Sequence, residues 1–131
     1  MFLFAFAVGC VDRLPDQDLR ILNTIPSAKL SAAILWNEYA ADRAAADKKY
    51  WGKALEISFR VSSVIPETPA RLMFLPERDA TNGVEARLLD TGAKAAMDNA
   101  KVGEPILLHC FCEGLQGNVI LKSCVFAGHS Q

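Results

Sequence analysis

Between Ala44 and Val61 the chain reads AAADKKYWGKALEISFRV, and within those residues the apolar period changes from helical to strand-like. The change falls at Gly52, the one residue there that takes a left-handed helix C-cap without steric cost. An alanine-rich helix therefore feeds directly into a half-buried strand. After Gly52, Leu55, Ile57, Phe59 and Val61 point one way, and Glu56, Ser58, Arg60 and Ser62 the other. Ser62-Ser63-Val64 breaks that phase and implies a bulge or bend, which a long first strand needs in order to wrap around a small barrel.

The remaining elements follow from the same patterns. Ser27, just after Pro26, is an entry signal for a helix expected over Ala28 to Tyr50, with Trp36, Tyr39, Tyr50 and Trp51 as its large anchors. Pro66 to Pro69 is a turn, and Leu72 and Phe74 continue the core face on a second strand. Val84, Ala86 and Leu88 mark a third strand, and Thr91 to Ala100 a short helix. Pro105 to Cys112 and Asn118 to Phe126 are the last two strands, joined by a loop from Glu113 to Gly117. The expected fold is mainly β with helices: a five-stranded OB-fold barrel preceded by a long N-terminal α-helix.

A chain of 131 residues holds one domain with a core of its own. Its formal charge of -1 gives no bulk attraction to a polyanion, so nucleic-acid binding would need a local basic stripe. Phe2 to Val8 is an apolar run ending in Gly9-Cys10, and Ala7-Val8-Gly9-Cys10 resembles a bacterial lipobox. That resemblance implies a short lipoprotein signal over residues 1–10 and a diacylglyceryl group on Cys10. The run is too short to span a bilayer as a helix. Its rival is an apolar N-terminal element packed on the domain, with Cys10 an ordinary thiol. Residues 11–26, with scattered charges and Leu14, Leu19, Ile21 and Leu22 on no clean face, are expected to be a tether, with a loop packed against the body as the alternative. The OB-fold domain with its leading helix then occupies residues 27–127.

Ala46-Asp47, Lys49-Tyr50 and Gly52-Lys53, together with Gly103, Ile106, Leu108, Cys112, Gly114 and Leu121 to Cys124, resemble the tRNA_anti-like family. That is a group of bacterial OB-fold proteins that includes many lipoproteins. The likeness runs from about Ser31 to Val125. Asp42-Arg43 stands where the family pattern has Asn-Glu, and Cys110 where it has Gly. The resemblance implies the fold and says little about RNA.

The resemblance also places cysteines at positions 112 and 124, and an exported protein meets an oxidising space, so Cys112–Cys124 is the first candidate disulfide. Hairpin counting sets Cys124 opposite residues near Leu107, so that bridge would need a bulged last strand. Cys110–Cys124 and reduced buried thiols are the alternatives. No metal site is expected: Cys110 and Cys112 point to one face of a strand, His109 to the other, and no further Cys or His pair completes a tetrahedral set. Gly52-Lys53 lacks the upstream Gly and following Ser or Thr of a phosphate loop, and no Ser lies in Gly-x-Ser-x-Gly. Glu38 and Asp42 are read as a solvated acidic pair. No catalytic residue and no cofactor is expected.

Arg60, Arg71, Met73 and Arg87 form the candidate binding face, with Glu56 and Glu85 interrupting the arginines and no outward aromatics for base stacking. The expected function is a non-catalytic binding module of the cell envelope, lipid-anchored through Cys10 on the periplasmic side. A protein or glycan would bind the open face of the first three strands and the loops Pro66–Pro69 and Leu115–Gly117. The alternative is a cytoplasmic OB-fold binder of single-stranded nucleic acid, with Arg60, Arg71 and Arg87 on the backbone.

Overall fold

A computed structural model describes residues 13–129. Seven strands form one mixed sheet: β1 (Ala28–Ser31), β2 (Ala54–Arg60), β3 (Ser63–Ile65), β4 (Arg71–Phe74), β5 (Val84–Leu88), β6 (Pro105–Gln116) and β7 (Asn118–His129). Their spatial order is β1-β2-β6-β7-β5-β4-β3. The pairs β1–β2 and β5–β7 are parallel, and the other four are antiparallel. Three helices accompany the sheet: α1 (Ala32–Ala41), α2 (Arg43–Tyr50) and α3 (Asp90–Asn99).

The expectation of a five-stranded barrel behind one long helix is corrected on both counts. The sheet has seven strands and two edges, β1 and β3. The single first strand expected from the alternation divides at Val61 and Ser62, where the phase break was seen. Ser62 turns its N–H to the Met73 carbonyl (2.7 Å), and Val61 donates to Glu104 (3.2 Å). Those two residues carry the chain from β2 to the far edge of the sheet, so the sheet curls strongly.

The expected helix also divides. Ser27 donates to the Ala54 carbonyl at 2.8 Å and starts β1 instead of capping a helix. Ser31 is the true N-cap, its Oγ accepting from Ile34 N at 3.1 Å. Asp42 then adopts an extended φ of -159° and ends α1. Its carboxylate accepts from Ala45 N at 3.1 Å, capping α2 in the same step. An aspartate that both stops one helix and starts the next is invisible to a count of alanines.

Gly52 has a φ of +76°, as the helix-to-strand switch requires. Beyond it Leu55, Ile57 and Phe59 are wholly buried, and they meet Leu72, Val84, Ala86 and Leu88 as the alternation indicates. Leu35 and Tyr39 of α1 close this core from the helical side. Tyr39 and Tyr50 are buried anchors, whereas Trp36 and Trp51 stay half-exposed.

Residues 13–26 form a clasp and not the tether expected over 11–26. Ile21, on a 3-10 turn (Leu19–Asn23), is 1% exposed against Ala54, Leu89 and Phe111. Backbone N–H groups of Leu14 and Asp18 donate to Glu113 Oε2 (2.6 Å) and Ser123 Oγ (2.8 Å). Gln17 spans from the Leu88 carbonyl to the Asp90 amide. Cys10 and the rest of the signal expected over residues 1–10 lie outside the described residues.

Candidate functional site

Two arginine-bearing regions flank the clasp. The first is the face expected from sequence. Register sets Arg71 opposite Arg87 and Met73 opposite Glu85, so β4 and β5 do bring three of the four candidate residues together. Glu85 is 6% exposed. Its Oε2 accepts from Arg87 Nε at 2.6 Å and lies 3.9 Å from Arg71 Nη1, while Arg71 Nη2 reaches Glu67 at 3.3 Å. Arg71, Arg87, Asp16, Thr68 and Pro69 line a cleft of about 230 Å³. Two cations here meet three carboxylates, so the face is polar without being basic. Arg60 is not part of it. It sits on β2 opposite Pro105, and its guanidinium donates to the Gly103 carbonyl.

The second region, formed by α2, the end of β6 and the start of the clasp, was not singled out from sequence. Arg13, Arg43, Asp47, Trp51, Glu113, Gly114, Leu115 and Gln116 line a cleft of about 520 Å³. Gly114 is its floor. With φ at +84°, a Cβ there would stand 2.9 Å from Asp47 Oδ1 and 3.1 Å from Trp51 Cδ1. Asp47 accepts from the Tyr39 hydroxyl at 2.8 Å, and that hydroxyl lies 3.6 Å from Cys112 Sγ. Burial pushes the Tyr39 phenol far above its ordinary range and the Cys112 thiol up to about 11. Burial, then the Glu38 carboxylate, raises Tyr50 to about 12. Glu38 itself links α1 to α2 through Lys49 Nζ and the Tyr50 hydroxyl, each at 2.6 Å. The acidic pair read as solvated is therefore a cross-link and a cap.

Beneath this cleft is a buried ion pair. Lys122 Nζ lies 3.1 Å from Glu113 Oε2 and 2.8 Å from Asp16 Oδ1, with the Lys122 and Glu113 side chains 5% and 4% exposed. Burial alone would raise the Glu113 carboxyl. Donors from Leu14 N, Gln116 and Lys122 outweigh it and hold the carboxyl below its ordinary range. Lys122 does the same for Asp16. Of the larger cleft's two carboxylates, Glu113 is therefore paired with a cation and Asp47 accepts from a neutral hydroxyl. Arg13 and Arg43 are exposed and make no ion pair or side-chain hydrogen bond among the described residues. The legible signal for the pair was a lysine inside Val119-Ile120-Leu121-Lys122.

The disulfide joins Cys110 to Cys124, Cα atoms 4.3 Å apart, and Cys112 is a buried free thiol. This corrects the first candidate, Cys112–Cys124. Between the pairs His109–Val125 and Phe111–Lys122, β7 sets Ser123 and Cys124 against Cys110 alone. This extra β7 residue offsets the extra β6 residue at Glu113, so Cys124 meets Cys110 in the register set by the Gln116–Asn118 turn, while Cys112 lies opposite Leu121. Ser123 takes a φ of +57° there and turns its hydroxyl to the clasp. His109 is committed to Glu56 at 3.0 Å. Among the described residues no group of three or more His, Cys, Asp or Glu is placed to hold a metal, and no helix is long and apolar enough to cross a membrane.

The described residues thus form a curled mixed sheet, stapled by a disulfide, with a polar cleft on either side of the clasp. The chain belongs to the tRNA_anti-like family, whose model matches residues 4–125, and that family points to an OB-fold binding module. No curated protein and no solved structure matches the chain.

Proposed function

We propose that this chain is a non-catalytic binding module of the cell envelope, held to the membrane by a lipid on Cys10 and facing the periplasm. The Cys110–Cys124 disulfide carries this proposal, because buried structural disulfides persist in oxidising compartments and are rare in reducing ones. A protein or glycan partner would use the face around Arg71, Met73, Arg87 and the Thr68–Pro69 turn. Its mixed charges suit hydrogen-bonding partners more than a polyanion. The cytoplasmic nucleic-acid alternative draws less support: Arg71 and Arg87 answer to Glu85 and Glu67, and Arg60 to a backbone carbonyl. Metabolic palmitate labelling tests the anchor. Label on the wild type that disappears in Cys10→Ser is the expected outcome. An unlabelled, soluble cytosolic pool would favour the alternative.

A further inference from the structure

We infer that the cleft of Arg13, Arg43 and Trp51 lies against the membrane and takes the phosphate of an anionic phospholipid, an inference that rests on the anchoring of Cys10. Cys10 lies three positions before Arg13, and an extended chain spans at most 3.3–3.6 Å per residue, so the anchor stands within about 11 Å of this cleft's rim. Arg13 has little freedom to move away. The next residue, Leu14, is fixed at both backbone ends: its N–H donates to Glu113, and its carbonyl accepts from Lys122 at 3.1 Å. A lipid on Cys10 therefore draws this end of the molecule to the bilayer.

The cleft has the chemistry that such a surface meets. Arg13 and Arg43 are exposed and make no ion pair among the described residues, whereas the carboxylates of Asp47 and Glu113 turn inward to the Tyr39 hydroxyl and to Lys122, so the two guanidiniums are the exposed charged groups of this cleft. Half-exposed Trp51 offers an amphipathic ring of the kind enriched at membrane–water interfaces. On the Arg71–Arg87 face the guanidiniums are held by Glu85 and Glu67.

The test uses full-length Cys10→Ser protein, which carries no lipid, with vesicles of phosphatidylcholine alone or mixed equally with phosphatidylglycerol. Binding is expected only to the mixed vesicles and should weaken with added salt. Arg13→Ala and Arg43→Ala should each lower the partition coefficient about fivefold, the effect of removing one cation near such a surface. Trp51 emission should shift to the blue on binding, a change absent in Trp51→Phe. Arg78→Ala, an exposed arginine outside this cleft, should bind as the parent does. Equal binding to both vesicles, or full binding by Arg13→Ala and Arg43→Ala with unchanged circular dichroism, overturns the inference. So does a Trp51 response to inorganic phosphate without vesicle binding, which would assign the cleft to a free anion. If wild-type protein takes no palmitate while vesicle selectivity persists, the anchor fails and the cleft's chemistry stands.

Discussion

Arg71 and Arg87 lie on one side of the clasp, Arg13 and Arg43 on the other, and the two pairs live in opposite electrostatic company. On the first side Glu85 is buried under both guanidiniums, Glu67 takes the remaining reach of Arg71, and Asp16 lines the rim. On the second side Asp47 turns to the Tyr39 hydroxyl and Glu113 to the buried Lys122, and the arginines face solvent. Equal numbers of arginines thus give one face whose guanidiniums are held by carboxylates and one whose guanidiniums make no ion pair among the described residues. What decides the outcome is where the acids find their partners. Counting cations along a strand does not reveal it.

The clasp contributes a residue to each side, Asp16 to one and Arg13 to the other, so breaking its ion pair should disturb both at once. Lys122→Met leaves Glu113 buried without its cation, and urea unfolding should show a loss of about 3–5 kcal/mol. The double variant Lys122→Met/Glu113→Leu should recover most of it. A loss under 1 kcal/mol in the single variant, on the order of an exposed pair, would mean the clasp is not held as described. The pH dependence follows with a definite sign. The Glu113 carboxyl is depressed in the folded state, so its contribution is present above the ordinary value of 4.5 and fades as pH falls through the lower folded value. Glu113→Gln should flatten stability in that acid window relative to the wild type.

Gly114→Ala acts on the Arg13–Arg43 side alone. A side chain at φ +84°, against Asp47 and Trp51, should cost about 1–2 kcal/mol and alter Trp51 fluorescence while leaving the Arg71–Arg87 face unchanged. An unchanged melting temperature would show that the cleft floor yields. The mildest expected effect is a gain. Glu85→Gln removes the charge that neutralises Arg71 and Arg87, so retention of a single-stranded oligonucleotide should rise with a salt slope of about -1.4, that of two phosphate contacts. Wild-type protein already showing that slope would erase the contrast between the two sides.

Much of the sheet was legible because its strands alternate cleanly. Leu55, Ile57 and Phe59 on β2, Leu72 and Phe74 on β4, and Val84, Ala86 and Leu88 on β5 are buried in the phase that the sequence shows. The bend after Val61 was marked by three residues out of phase. The errors have both local and distant sources. Asp42 breaks the helix by capping backward and forward, and β1 is too short to show a period and exists by pairing with β2. The cysteine partners were missed because the loop expected over Glu113 to Gly117 is strand as far as Gln116: with Gln116 opposite Asn118, counting back reaches Cys110 for Cys124, and the two bulges between cancel. Of the candidate face, Arg71, Met73 and Arg87 do converge, but Glu85 is buried and not outward, and Arg60 belongs elsewhere. The cleft around Trp51 was hidden because that residue had been assigned to the core.

The central claim is that this is a module of an oxidising compartment, and the state of its thiols in the cell tests it most directly. Protein trapped with an alkylating reagent in intact cells, then unfolded and mapped without reductant, should yield a Cys110–Cys124 cross-linked peptide. Cys112, buried and with its thiol raised to about 11, should react only after unfolding. Recovery of Cys110, Cys112 and Cys124 all as free, alkylated thiols would contradict the envelope assignment at its root.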